Sequence, residues 1–221
     1  MLLPEKGRSF ATFLLLLLLG MGCNPEEKLP LPDQKNALFE QPAHFPQPNY
    51  DFSRNPVTEA GFELGRKLFY DPILSRDSSI SCASCHRQEF AFADAGKTIS
   101  PGIVGRLGSR NSPALFNLAW STSFMWDGGV NHLEVFPLAP ITEPAEMDET
   151  LVRVMEKLRI HPTYPALFQA AFGPGELTDQ RFLFALAQFQ LALVSGDSPY
   201  DRFIQGKASL PATALKAGIC F

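Results

Sequence analysis

Residues 82–86 read Cys-Ala-Ser-Cys-His, a C-x-x-C-H stretch. The chain holds four cysteines and four histidines in 221 residues. Random order would give this stretch roughly 0.001 times per chain, so the explanation has to be chemical. Two thiols three residues apart fall on one side of a helical turn, and an imidazole follows at once. A redox dithiol would want a βαβ setting, which the surrounding sequence lacks. A structural zinc would want two further Cys or His nearby. The spare candidates, His44, His132, His161 and Cys220, lie far off in sequence. A c-type haem needs two thiols for its thioether bonds and an imidazole beneath its iron, which is what Cys82, Cys85 and His86 offer. The sixth ligand then decides between uses. A Met, with Met125, Met147 and Met155 as candidates, would suit an electron carrier. An open face with an acid–base group above it would suit a peroxidase.

Around this motif the pattern is helical. "NPVTEAGFELGRKLFYDP" reads as a helix capped by Asn55, with Pro56 in its first turn and Pro72 at its end. Phe62, Leu64, Leu68 and Phe69 form its apolar side. Leu151, Val154, Met155 and Leu158 share one face of a second helix. "TYPALFQAAFGPG" is a third. "LTDQRFLFALAQFQLALVSG" is the longest, capped by Thr178, ended by Gly196 and apolar on most sides, hence central. Residues 73–121 are rich in Gly, Ser and Asp and read as loops with short helices. No strand pattern appears. The fold class expected is all-α, a cytochrome c-like haem domain with long loops.

At 45% hydrophobic and 19% charged, the chain can build a real core. A net charge of −4 argues against a nucleic-acid partner. The uneven cysteine spacing is not a disulfide framework. Lys6 and Arg8 precede an apolar run, Phe10 to Leu19, too short to span a bilayer. Small residues follow, so residues 1–23 read as an export signal to the periplasm. Gly20-Met21-Gly22-Cys23 also resembles a bacterial lipoprotein signal, with Cys23 as the lipid-bearing residue. Six prolines punctuate residues 24–55, which read as an extended linker with His44 simply solvated.

Five stretches then follow in a telling order: "LGRKLFYDPILSRDSSISCASCH", "RLGSRNSPALFN", "FMWDGG", "APITEPAEM" and "LVSGDSPYDRF". Together they resemble the bacterial di-haem cytochrome c peroxidases, a family that includes the methylamine-utilisation haem protein. The resemblance runs from about Asn55 to the C-terminus and covers only the family's N-terminal, peroxide-reacting haem domain. It sets the domain at residues 56–205, with 206–221 as the truncated start of a second haem domain. It implies hydrogen peroxide as substrate and a small electron-donor protein, a cytochrome c or a cupredoxin.

By the same resemblance Cys82 and Cys85 hold the haem and His86 ligates its iron. Glu146 matches the family's distal glutamate, against the plainer reading of Glu146 and Glu149 as first-turn acids of the next helix. Trp126 matches the tryptophan that bridges electron transfer, against a core aromatic. Asn111 matches a ligand of a calcium between the domains. Arg110 is either structural or a propionate partner. Two positions depart from the family. Where many members carry a distal histidine before "RNSP", spacing places Ile103, which cannot ligate iron, so an open ferric haem is expected. Where relatives often have a glutamine ahead of Glu146, Phe136 stands. His132 and Glu134 read as surface residues.

Overall fold

The structure, a computed structural model, describes residues 38–218. The export-signal reading, Cys23 and Cys220 lie outside those residues. Eight α-helices are described: α1 (Glu59–Tyr70), α2 (Cys82–Cys85), α3 (Leu138–Thr142), α4 (Leu151–Ile160), α5 (Tyr164–Phe172), α6 (Asp179–Leu191), α7 (Pro199–Ile204) and α8 (Ala212–Gly218). Single 3-10 turns punctuate the long stretch between α1 and α3. Among the described residues there is no sheet, only isolated antiparallel bridges that close the loops at Arg87–Ala93, Pro101–Leu107 and Phe124–Val130. No described helix is long and apolar enough to cross a membrane. The all-α expectation holds.

The core forms where α1 lies along α6. Leu64, Leu68 and Phe69 of α1 are buried against Phe182, Ala185, Leu186 and Phe189 of α6. The rings of Phe69 and Phe189 sit 4.9 Å apart. α6 is apolar on nearly every side because helices or loops cover it all round. α5 adds Tyr164 and Phe168, and α4 adds Val154, Met155 and Leu158. Gly65 lets α1 come this close. A Cβ at that position would run into the main-chain carbonyl of Ala185.

The start of α1 departs from the sequence expectation. Its N-cap is Thr58, whose hydroxyl accepts from the Gly61 amide at 3.1 Å. Asn55 is buried instead. Its side chain accepts from Gln188 of α6 at 2.8 Å and donates to the Phe184 carbonyl at 3.1 Å. An amide that can bond α6 on both sides is worth more there than at a cap three residues early. At its other end α6 stops at Leu191, short of Gly196.

Residues 38–55 are also not the extended spacer the prolines suggest. Phe39, Tyr50 and Phe52 pack on the core, and the Asn49 and Tyr50 amides both donate to Ala119 O. The Trp120 indole donates to Pro46 O at 2.7 Å. His44 is not simply solvated. It is half-buried, with Nε2 2.9 Å from Asp201 Oδ1 and Nδ1 accepting from Gln205 at 3.1 Å, which fastens this segment to α7. Rows of prolines read as a spacer because they lack apolar periodicity. The aromatic residues between them supply the packing.

Glu149 is a buried carboxylate beside α4. Lys157 Nζ lies 2.6 Å from one oxygen and Arg153 Nε 3.2 Å from the other. Lys157 also donates to the carbonyls of Ser75, at 2.6 Å, and Ile73. It thereby ties α4 to the loop that leads into α2. Burial pushes the Glu149 carboxyl up, but its Lys157 and Thr150 hydrogen bonds and the two cations outweigh it and hold it below the ordinary range.

Two substitutions test this packing. Gly65→Ala should cost about 1–3 kcal/mol of stability, because a backbone carbonyl cannot move aside as a side chain can. Thermal unfolding would read it as a lowered midpoint. Lys157→Met should cost ~3 kcal/mol at neutral pH by leaving Glu149 charged and poorly paired. Glu149 titrates low in the native state, so its contribution is present above the unfolded carboxylate pKa of about 4.3 and fades as pH falls. The gap between variant and wild type in denaturant titrations should therefore narrow in acid.

Candidate haem site

α2 is a single turn. The Ser81 amide donates to Ser84 Oγ at 3.1 Å at its start, and the His86 amide donates to Cys82 O at 2.9 Å at its end. That turn brings Cys82, Cys85 and His86 to the wall of one cavity. His86 Nδ1 donates to the carbonyl of Phe92 at 2.8 Å, which fixes the ring and leaves Nε2 as the ligating nitrogen. Phe92 can offer that carbonyl because it and Ala91 both adopt left-handed backbone, with φ of 57° and 56°. Burial lowers the imidazole pKa, against the opposing pull of the Phe92 and Pro113 carbonyls, so His86 is held neutral as a ligand must be.

Desolvation pushes the Cys82 thiol up to about 12 and raises Cys85 as well. Neither is the acidic thiol that a redox dithiol needs. No cluster of three or more His, Cys, Asp or Glu among the described residues is placed to hold a bare metal ion.

The loop that follows His86 is closed by a buried carboxylate. Asp94 is 1% exposed. It lies 3.3 Å from Arg87 and 3.2 Å from Lys97, and it accepts from Ser100 at 2.9 Å. Ser100 in turn meets Ser112 at 2.9 Å, and both serines line the cavity beside Cys85. Sequence reading missed this centre. A lone Asp in a loop gives no sign of being buried.

The cavity is a partly open cleft. Its walls are mostly apolar: Phe69 from α1, Leu186 from α6, Leu115, Phe136 and Met147. Gln190 also faces it, and its side-chain oxygen is buried with no hydrogen-bond partner among the described residues. Glu146 lines the cavity too. A flat apolar prosthetic group, anchored by two thiols and one imidazole, fits this donor set. The apolar walls fit it as well.

Glu146 comes from the turn between α3 and α4. Its carbonyl accepts from the Ile103 amide at 2.8 Å, and its amide donates to Glu143 O at 2.9 Å. Burial raises its carboxyl pKa, and the nearby Glu143 charge raises it further. A neighbouring opening shares His86, Arg110, Phe136 and Glu146 with the cavity and adds Met125, Trp126 and Asn111. Arg110 is paired with Asp127 at 2.6 Å.

Other expected residues fall differently. Trp126 is 65% exposed, so the core-aromatic reading fails. Its indole donates to Asn111 O at 2.8 Å. The Asn111 amide donates to Lys97 O at 3.0 Å, with no acidic cluster about it among the described residues. Ile103 is fully buried and does not line the cavity; Gly102 and Gly108 of the same loop do, and Leu107 lines the neighbouring opening. None of these can ligate iron either, and His86 is the one histidine among the lining residues. Phe136 stacks on Phe124 at 5.5 Å. His132 is exposed, and Glu134 is half-buried, accepting from Tyr50 at 2.8 Å. Met155 is core, whereas Met147 lines the cavity.

Known proteins share this sequence and shape. The family described as di-haem cytochrome c peroxidase matches residues 59–209. The methylamine utilization protein MauG of Methylorubrum extorquens is 40% identical over 183 residues, covering 82% of this chain and 50% of the relative. The cytochrome c551 peroxidase of Pseudomonas aeruginosa is 33% identical, covering 86% of this chain and 54% of that protein. The chain thus spans about half the length of these relatives. A crystal structure of a MauG-like protein associated with microbial copper homeostasis superposes with a TM-score of 0.71 at 34% identity. It covers 80% of this chain and 52% of that one. The residues around Cys82, Cys85 and His86, the helical frame and these likenesses agree: the chain belongs to the di-haem cytochrome c peroxidase family.

Proposed function

We propose that this chain is the peroxide-facing half of a c-type haem peroxidase, which reduces hydrogen peroxide to water with two electrons from a small redox protein, a cytochrome c or a cupredoxin. The observation that carries the reading is that His86, both thiols and the carboxyl-bearing Glu146 line one cavity. Bound there, haem c supplies the redox-active iron.

The chain's own residues do the rest. Cys82 and Cys85 bond the group covalently, and the Phe92 carbonyl holds the His86 ring in one orientation. Apolar walls at Phe69, Leu115, Phe136 and Leu186 keep bulk water out. Glu146, ionised, accepts the proton of the inner peroxide oxygen and returns it to the outer one, which leaves as water. The overall balance is one peroxide, two electrons and two protons to two waters. With Phe136 in place of a polar neighbour, Glu146 carries this proton alone. Exposed Trp126 is the proposed electron bridge at the neighbouring opening. Asn111 remains a proposed calcium ligand whose partners come from outside the described residues. The N-terminal segment is proposed to send the chain to the periplasm, with Cys23 as a lipid anchor. Residues 56–205 are proposed as the haem domain, with 206–221 opening a second one.

A second reading is favoured by the 40% identity to a protein named for methylamine utilisation. In it the two electrons come from a substrate other than a small redox protein. Steady-state peroxide consumption with a reduced cytochrome c or cupredoxin separates the two.

Two outcomes are expected. In protein matured with haem, Cys82→Ala/Cys85→Ala should release its haem into acidified acetone, while wild type retains it. Stopped-flow mixing of the ferric protein with peroxide should show a rate that rises with pH as Glu146 ionises. The midpoint should lie above the ordinary carboxylate value of about 4.3. Glu146→Gln should lower that rate by roughly 10²–10⁴ and flatten the profile.

A further inference from the structure

Three stretches of chain meet at the turn that bears Glu146. The loop 101–107 crosses one side. There the Ile103 amide donates to Glu146 O at 2.8 Å. Gly102 lies so near Ala145 O and the Glu146 backbone that a Cβ would overlap them. The segment leading to α2 reaches the other side, where the Arg76 amide donates to Met147 O at 3.0 Å. Asp148 closes the turn in a left-handed conformation, with φ of 50°. One of its oxygens serves both neighbours, 2.7 Å from Arg76 Nη1 and 3.0 Å from Arg106 Nη1. The same Arg106 nitrogen donates to Pro144 O at 2.9 Å. Arg106 therefore grips the chain on both sides of Glu146, at residues 144 and 148.

Exposed ion pairs ordinarily add little to stability, so stability is a weak reason for this arrangement. Its placement suggests another. One carboxylate oxygen is shared by guanidinium groups from two separate loops, and strain sits next to the acid–base candidate. Neither arginine lines the cavity or the neighbouring opening, so neither touches a substrate there.

We propose that Arg106 and Asp148, with Arg76 in support, are positioning residues that hold the Glu146 carboxyl in its half-buried setting over the cavity. This rests on Glu146 being the proton acceptor. The titratable and charged groups that face Glu146 are Glu143 in its own turn, Arg110 across the cavity, and Cys85 and His86 on the wall.

The test uses the full haem-bound chain and cyanide as probe. Cyanide arrives as HCN and hands its proton to the acceptor, so its binding rate to the ferric protein falls at low pH as that acceptor becomes protonated. Arg106→Met should relax the turn, expose Glu146 to water and move this acid limb down by roughly one pH unit, about a tenfold change in ionisation constant. Asp148→Asn should move it the same way. Arg106→Lys, which keeps the cation, should leave the limb near its wild-type place. Loss of the Arg106 charge without any loosening would move the limb up, because a cation that favours ionised Glu146 is gone. An upward shift, or no shift in either Arg106→Met or Asp148→Asn, overturns the inference. Glu146→Gln separates the two layers. If it removes the limb while the other variants leave it in place, positioning is wrong and the acceptor is right. If it leaves the limb intact, the acceptor assignment itself is wrong. Should Arg106→Met fail to fold, Arg106→Gln decides in its place, because losing the Asp148 charge lowers the limb even without loosening.

Discussion

The site depends on how closely α1 can lie on α6. Gly65 sets that distance against the Ala185 carbonyl, and the buried Asn55–Gln188 pair fixes the register. The same two helices then furnish part of the cavity, Phe69 from α1 and Leu186 and Gln190 from α6. A helix pair held half a methyl group further apart would leave a prosthetic group loosely walled. Much of the remaining cavity wall comes from loops, which have no ladder of hydrogen bonds to hold them.

Buried or shared carboxylates take over that task. Asp94 gathers Arg87, Lys97 and Ser100 around the loop that follows His86. Glu149 and Lys157 tie α4 to the carbonyls just before α2. Asp148 links the loops on either side of Glu146. Asp94 and Glu149 are buried, the setting in which removing one partner costs far more than the pair contributes. Asp148 draws its two cations from separate loops. Left-handed residues cluster in the same places: Ala91 and Phe92 by His86, Val104 over the cavity loop, and Asp148 by Glu146. Strain of this kind persists where the surroundings over-determine the backbone.

Much of this was legible in the residues. C-x-x-C-H located the anchoring turn, and helical periodicity found α1, α4, α5 and α6 with Thr178 as a cap. What failed has physical reasons. Asn55 looked like a cap because capping is a local rule, but its amide found better partners on a helix over a hundred residues away. Prolines in residues 38–55 hid a packed segment, because aromatic anchoring there has no period. Ile103 was aligned by spacing to a cavity-facing position, but its loop turns it into the interior. Trp126 is exposed because its loop holds it by the indole nitrogen rather than by burial. The Asp148 pairs were invisible because Arg76 and Arg106 come from distant segments, and the burial of Asp94 leaves no mark in its own loop sequence.

The most direct measurement is the ferric spectrum of the full chain produced in a host that matures c-type cytochromes. One covalently held haem per chain is expected, high-spin as isolated and converted to low-spin by cyanide. Such a result would mean that His86 held the iron while a position remained free for a small oxidant. A chain that returns without haem, or with a low-spin spectrum indifferent to cyanide, would contradict it.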